Sequence, residues 1–213
     1  MRISVEARAL LPDERFALQR RARVLAWGGI VWHFVEFAVA LGAGVAAGSI
    51  ALLAFGADSL IESFAGFVVV WLFTGTRLTS PSAERRAQQL IAASFFVLAV
   101  YVTADATRTL IAGDEPSASW LGVALAAFTA PTMPLLALTK RHIGQQLGSS
   151  ATIKEGAQNI VCAYLSIALL LGLSLNALLE WWWADPAAAL VIAAVALREG
   201  RESWRGKACC EVC

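Results

Sequence analysis

A bundle of six membrane-spanning α-helices with no soluble domain beside it is the fold class this sequence predicts, and three observations predict it. Of 213 residues, 58% are hydrophobic and 15% charged, with a mean hydropathy of +0.65; soluble domains are about 45–50% apolar and about 25% charged. The apolar residues fall into six runs, each near the roughly 20 residues that cross about 30 Å of hydrocarbon. These runs are uniformly apolar, without the alternation of barrel strands, so helices are the way for the backbone to satisfy its own hydrogen bonds in lipid. They fill nearly the whole chain and leave no stretch of the roughly 100 residues that a typical soluble domain takes.

Residues 1–23 form an N-terminal segment, basic from Arg2 to Arg23 but also carrying Glu6, Asp13 and Glu14. The apolar run after it lacks a small-residue cleavage site, so no removable signal peptide is expected. The spans follow at about 24–44, 49–73, 88–112, 117–139, 156–179 and 185–199, within a transmembrane domain of residues 24–200, and residues 201–213 make a short Cys-containing tail. Pro131 and Pro134 are expected to kink the fourth span or loosen its hydrogen bonding. Basic residues gather at the N-terminus, in the loop with Arg77, Arg85 and Arg86, in the loop with Lys140, Arg141 and Lys154, and in the tail with Arg198, Arg201, Arg205 and Lys207. The opposite loops carry Asp114, Glu115, Glu180 and Asp185. The positive-inside rule therefore places both termini in the cytoplasm. Asp105 and Arg108, on one face near the outer end of the third span, are expected to form an interfacial ion pair.

Glycines crowd the junction of the first two spans (Gly42, Gly44, Gly48) and recur at Gly56 and Gly66, where small residues let membrane helices approach closely. Within the second span, Asp58 and Glu62 stand four residues apart and share a helix face, about 14 and 20 Å below the outer end near Ser49. A charge at the helix centre costs about 2.5–3.5 kcal/mol on translocon scales. One such acid is readily read as protonated and hydrogen-bonded to a neighbouring helix. Two on one stripe suppress each other's ionisation unless a cation sits between them, which makes a site that exchanges protons for metal. Oxygen donors at this spacing suit Zn2+, Mn2+, Fe2+ or Co2+ alike.

The Gly48-Ser49 pair, the Ala-Leu-Leu-Ala run after it and the Asp58-x-x-x-Glu62 pair resemble the second span of the cation diffusion facilitator family. The opening of the sixth span, Trp183-Ala-Asp185-Pro186, is similar to that family's last helix. The resemblance implies a proton-coupled divalent-metal exporter, commonly a homodimer, with a four-ligand site shared by the second and fifth spans. Many members add a cytoplasmic metal-binding domain, which this sequence lacks after its sixth span.

On the fifth span the family usually places His or Asp followed four residues later by Asp; aligned from Ser149, those positions here are Gln158 and Cys162, and a slip of one residue brings Asn159 forward instead. Glu155, Gln158, Asn159, Cys162 and Ser166 recur at three- and four-residue spacing and form a polar stripe in either register. Depth favours Cys162 as partner of the acid pair. Buried Cys is as often a small apolar filler as a ligand. Glu155, nearer the cytoplasm, is either an access residue or the partner of Lys154 or a loop arginine. On the first span His33 and Glu36, three residues apart, are either a proton relay or a pair bonded to each other. The tail thiols Cys209, Cys210 and Cys213 suit capture of soft metals, unless they are incidental in a free tail.

There is no phosphate-binding Gly-Lys-Ser/Thr loop and no His-Glu-x-x-His helix, so neither an ATP-driven pump nor a standard metalloprotease is supported, and no enzyme is expected. The expected function is proton-coupled efflux of a divalent cation, foremost Zn2+, with Mn2+, Fe2+, Co2+ or Cd2+ as alternatives, and no permanently bound cofactor. Its partners are then the lipid bilayer, the metal ion, protons and a second copy of the chain, with no nucleic acid, at the plasma membrane (the inner membrane in a bacterium). The competing readings are a non-transporting metal sensor or scaffold built on the same bundle and, behind it, a metal-independent carrier of small solutes.

Overall fold

Apolar runs that cannot hydrogen-bond to lipid fold as helices, and the computed structural model, which describes residues 12–72 and 81–205, contains six. They are α1 (Pro12–Ala47), α2 (Ile50–Leu72), α3 (Pro81–Ala112), α4 (Trp120–Leu147), α5 (Ser150–Leu179) and α6 (Ala184–Trp204). Several outrun the expected spans. α1 starts at Pro12, a residue suited to a first helical turn, with Asp13 and Glu14 placed where the helix dipole favours acids. α4 runs unbroken through Pro131 and Pro134 and on to Leu147, so Lys140 and Arg141 belong to a helix and not to a loop.

Four stretches, Asp13–Ala47, Ala92–Ala112, Trp120–Leu147 and Glu155–Leu179, are long and apolar enough to cross a membrane. The bundle's outside agrees: Val31, Val45, Val97, Val100, Leu135, Leu138 and Leu171 are all exposed, a surface that hydrocarbon covers without cost and water does not. The core is built from Leu52 and Phe55 of α2, Phe95 and Val102 of α3, Leu165 and Leu169 of α5 and Ile192 of α6.

Two hairpins, α1–α2 and α4–α5, frame the bundle, and one joint, repeated one hundred residues apart, makes both. Gly48 (φ +65°) and Gly148 (φ +64°) take the left-handed conformation that ends a helix at little cost only for glycine. The next residues, Ser49 and Ser149, send their backbone N–H groups back to the carbonyls of Gly44 (3.0 Å) and Gly144 (2.9 Å). Their hydroxyls accept from Leu52 N (3.1 Å) and Thr152 N (3.3 Å), capping α2 and α5. Beyond the joint, a Cβ on Gly56 would meet Leu41 N and Phe37 O, and one on Gly156 would meet Arg141 N and Ala137 O. The two interfaces therefore match residue for residue.

The hairpins point in opposite directions. Around the Gly48 joint, Ser117 N donates to Ala47 O (2.8 Å), Asn176 Nδ2 to Pro116 O (2.9 Å), and Ser49 Oγ to Asp185 Oδ1 (2.5 Å). The start of α4, the end of α5 and the start of α6 thus meet there, and the Gly148 joint lies at the far end. Asp185 is fully buried, and its Oδ2 also accepts from Ala51 N (3.3 Å), so α6 supplies an anion to the positive end of α2. At the outer end of α3, no ion pair joins half-buried Asp105 to exposed Arg108; water or headgroups can solvate both at that depth.

Candidate metal centre

The opposed hairpins bring the polar stripes of α2 and α5 face to face, and α1 adds a third group. One ligand atom each of His33, Glu62 and Cys162 lie within 4.8 Å of one another. All three residues are buried, Cys162 completely. The centre sits near the middle of the bundle: Glu62 is about 18 Å by helical rise from the start of α2, and Cys162 about 18 Å from the start of α5.

Hydrogen bonding at the centre is incomplete. His33 Nδ1 lies 2.9 Å from Glu36 Oε2 and 3.2 Å from Glu62 Oε2, and the second contact is not aligned as a hydrogen bond, so neither oxygen of Glu62 has a partner. A proton on Nδ1 would point at the two carboxyl groups. Nε2 would then be free to accept from Asn159 Nδ2 at 3.4 Å. Asn159 Nδ2 also reaches Met133 Sδ (3.2 Å), while its Oδ1 is buried and unpaired. Thr129 Oγ1 donates to Glu36 Oε1 (2.6 Å). A continuous polar line therefore runs from Thr129 through Glu36 and His33 to Glu62. Unpaired buried polar atoms usually cost about 1–3 kcal/mol each, and here several gather in one place.

Each residue singled out in the sequence, the tail thiols apart, has a definite place. Glu62 and Cys162 come together. Asp58, one turn away on α2 and 1% exposed, stands outside the three-ligand group, and its Oδ2 has no hydrogen-bond partner. Gln158 is half-buried with Nε2 unpaired, and Asn159 is buried against His33. His33 and Glu36 are bonded to each other, and His33 also reaches the ligand group. Glu155 is paired with Lys140 at 2.7 Å; the side chain of Lys154 lies outside the described residues. Cys209, Cys210 and Cys213 lie outside the described residues.

Sequence reasoning passed over Thr129, Met133 and Lys140, which reach the centre or its surroundings from α4. A signal was present: Thr129, Met133, Ala137 and Lys140 recur at three- and four-residue spacing and all belong to the buried face of α4. A narrow cavity of about 10 Å³ lies beside the centre, on the side toward the Gly148 joint, lined by Ile30, His33, Glu62, Gly66, Glu155, Gln158 and Asn159.

Comparison with known proteins fits this geometry. A search of curated proteins finds no match, but the family described as the cation efflux transmembrane domain matches residues 27–205. The chain belongs to that family, and so is a multi-pass membrane protein that transports cations.

Proposed function

We propose that the chain exchanges a divalent metal ion, Zn2+ above all, for protons through a centre formed by Glu62, Cys162 and His33, with Asp58, Gln158 and Asn159 around it. The observation that carries this reading is the convergence of a carboxylate, a thiol and an imidazole within 4.8 Å, in a place where neither oxygen of Glu62 has a hydrogen-bond partner. Oxygen, sulfur and nitrogen donors together fit Zn2+ better than Mg2+ or Mn2+, which prefer oxygen alone. Thiol and carboxyl groups must lose protons to become ligands, so loading the metal releases protons. The Thr129–Glu36–His33 line offers those protons a path. All six helices cross the membrane in this reading; the basic loops support cytoplasmic termini. The family resemblance supports a homodimer in the plasma membrane.

The test is Zn2+ uptake into proteoliposomes under an imposed pH gradient, with internal pH followed by a dye. The wild type is expected to give saturable, gradient-dependent flux, and Asp58→Ala/Glu62→Ala none. Flux and proton movement that survive the double substitution would overturn the assignment, and metal binding without flux would favour a sensor.

A further inference from the structure

We propose that Glu155 is a second cation-binding position, on the route between the Gly148 end of the bundle and the Glu62 centre, and that the Lys140 ammonium fills it as a tethered stand-in for a divalent metal. This rests on the transport reading above. Lys140 is 1% exposed, and its Nζ donates to Glu155 Oε1 at 2.7 Å. Glycines on two further helices make room for the pair: a Cβ on Gly29 of α1 would lie 3.0 Å from Lys140 Nζ, and one on Gly66 of α2 would lie 3.7 Å from Glu155 Oε1. Four helices thus close on one ion pair.

Glu155 lines the same cavity as His33 and Glu62. That cavity, about 10 Å³, has room for about one water molecule, so no hydrated ion passes while the pair is shut. Gln158 lines the cavity one turn from Glu155, its Nε2 buried and unpaired. Turning that amide over would present its oxygen to a cation held by Glu155.

Packing gives no reason for the pair. The other hairpin uses the same joint and the same glycine contacts, yet one hundred residues earlier Lys140 and Glu155 correspond to Ala40 and Phe55, both fully buried. Burying two charges carries a desolvation cost that apolar side chains avoid, and well-packed apolar replacements often match or exceed such a pair in stability. What the charges add is exchange. A divalent ion passing Glu155 displaces the ammonium only transiently, Lys140 swings aside, and its return, favoured at equilibrium in the wild type, closes the route behind the ion. No covalent change is involved.

The test is equilibrium dialysis of the full-length protein, purified in detergent, against Zn2+ alone. Lys140→Met is expected to bind about one more equivalent per chain than the wild type, because it exposes an uncompensated buried carboxylate to the metal. Lys140→Met/Glu155→Gln is expected to lose that extra equivalent. A Lys140→Met protein that binds no more Zn2+ than the wild type overturns the proposal. If that variant unfolds in metal-free buffer, thermal melts decide: Zn2+ should raise its midpoint further than that of the wild type or of the double variant, and equal shifts overturn the proposal. Wild-type binding that persists unchanged in Glu62→Gln counts instead against the central site, whatever happens at Lys140.

Discussion

The two hairpins share a backbone plan and differ in chemistry. α1–α2 and α4–α5 turn at the same Gly-Ser joint and pack through matched glycines. Where α2 offers Asp58 and Glu62, α5 offers Gln158 and Cys162; where the first hairpin packs Ala40 and Phe55, the second holds Lys140 and Glu155. The shared features are those that helix approach demands, and the differences fall on the polar stripes and the ends of the route. Opposed repeats of this kind place a site at their interface near the midplane. What the halves have in common builds the scaffold, and what separates them is the chemistry of the polar stripes.

The comparison breaks most sharply at the centre. Glu62→Gln is expected to lower Zn2+ affinity by more than the roughly 10–100-fold that loss of an outer-sphere partner costs, measured by dialysis, whereas Gln158→Ala should stay within that range. A Gln158→Ala effect as large as that of Glu62→Gln would mean that the halves contribute equally.

Next come the matched glycines. Gly156→Ala puts a Cβ 2.9 Å from the Ala137 carbonyl, whereas Gly56→Ala meets first the Ala40 methyl at 3.2 Å. Thermal unfolding should show Gly156→Ala the costlier, by about 1–3 kcal/mol. Equal costs would show that the α4–α5 interface relaxes as readily as its counterpart.

Making the halves more alike tests selectivity. Cys162→Asp replaces the thiol with the type of group α2 already carries, and the ratio of Cd2+ to Mn2+ affinity is expected to fall by about tenfold as the donor set hardens. An unchanged ratio in competition dialysis would remove Cys162 from the ligand set. The smallest effect lies at the caps. Ser49 is backed by Asp185 and Ser149 only by Thr152 (3.0 Å between hydroxyl oxygens), so Ser49→Ala should cost about 1 kcal/mol and Ser149→Ala less, again by thermal melts.

Much of this was legible in the sequence, and the limits have physical causes. Apolar run length gave the helices, and the depth of Asp58 and Glu62 marked their stripe. Their partner across the bundle was harder to read, because the spacing Glu155, Gln158, Asn159, Cys162 defines a face but not its rotation toward α2. The approach of His33 from α1 depends on that same rotation. Lys140 was assigned to a loop because a charge after two prolines looks like the end of a span, yet α4 continues for seven residues beyond it. The repeat of Gly48-Ser49 at Gly148-Ser149 would have fixed the α5 register, since Gln158 and Cys162 then stand where Asp58 and Glu62 do.

The carboxylate of Asp185 at the head of α2 has a consequence for how the molecule moves. Bonded to a hydroxyl and a peptide nitrogen of its neighbour, it pins the two helices together at that face of the bilayer. Any rocking of α2 that re-aims Glu62 is expected to carry the head of α6 with it, and spin labels at the outer tips of the pair are expected to hold a fixed separation.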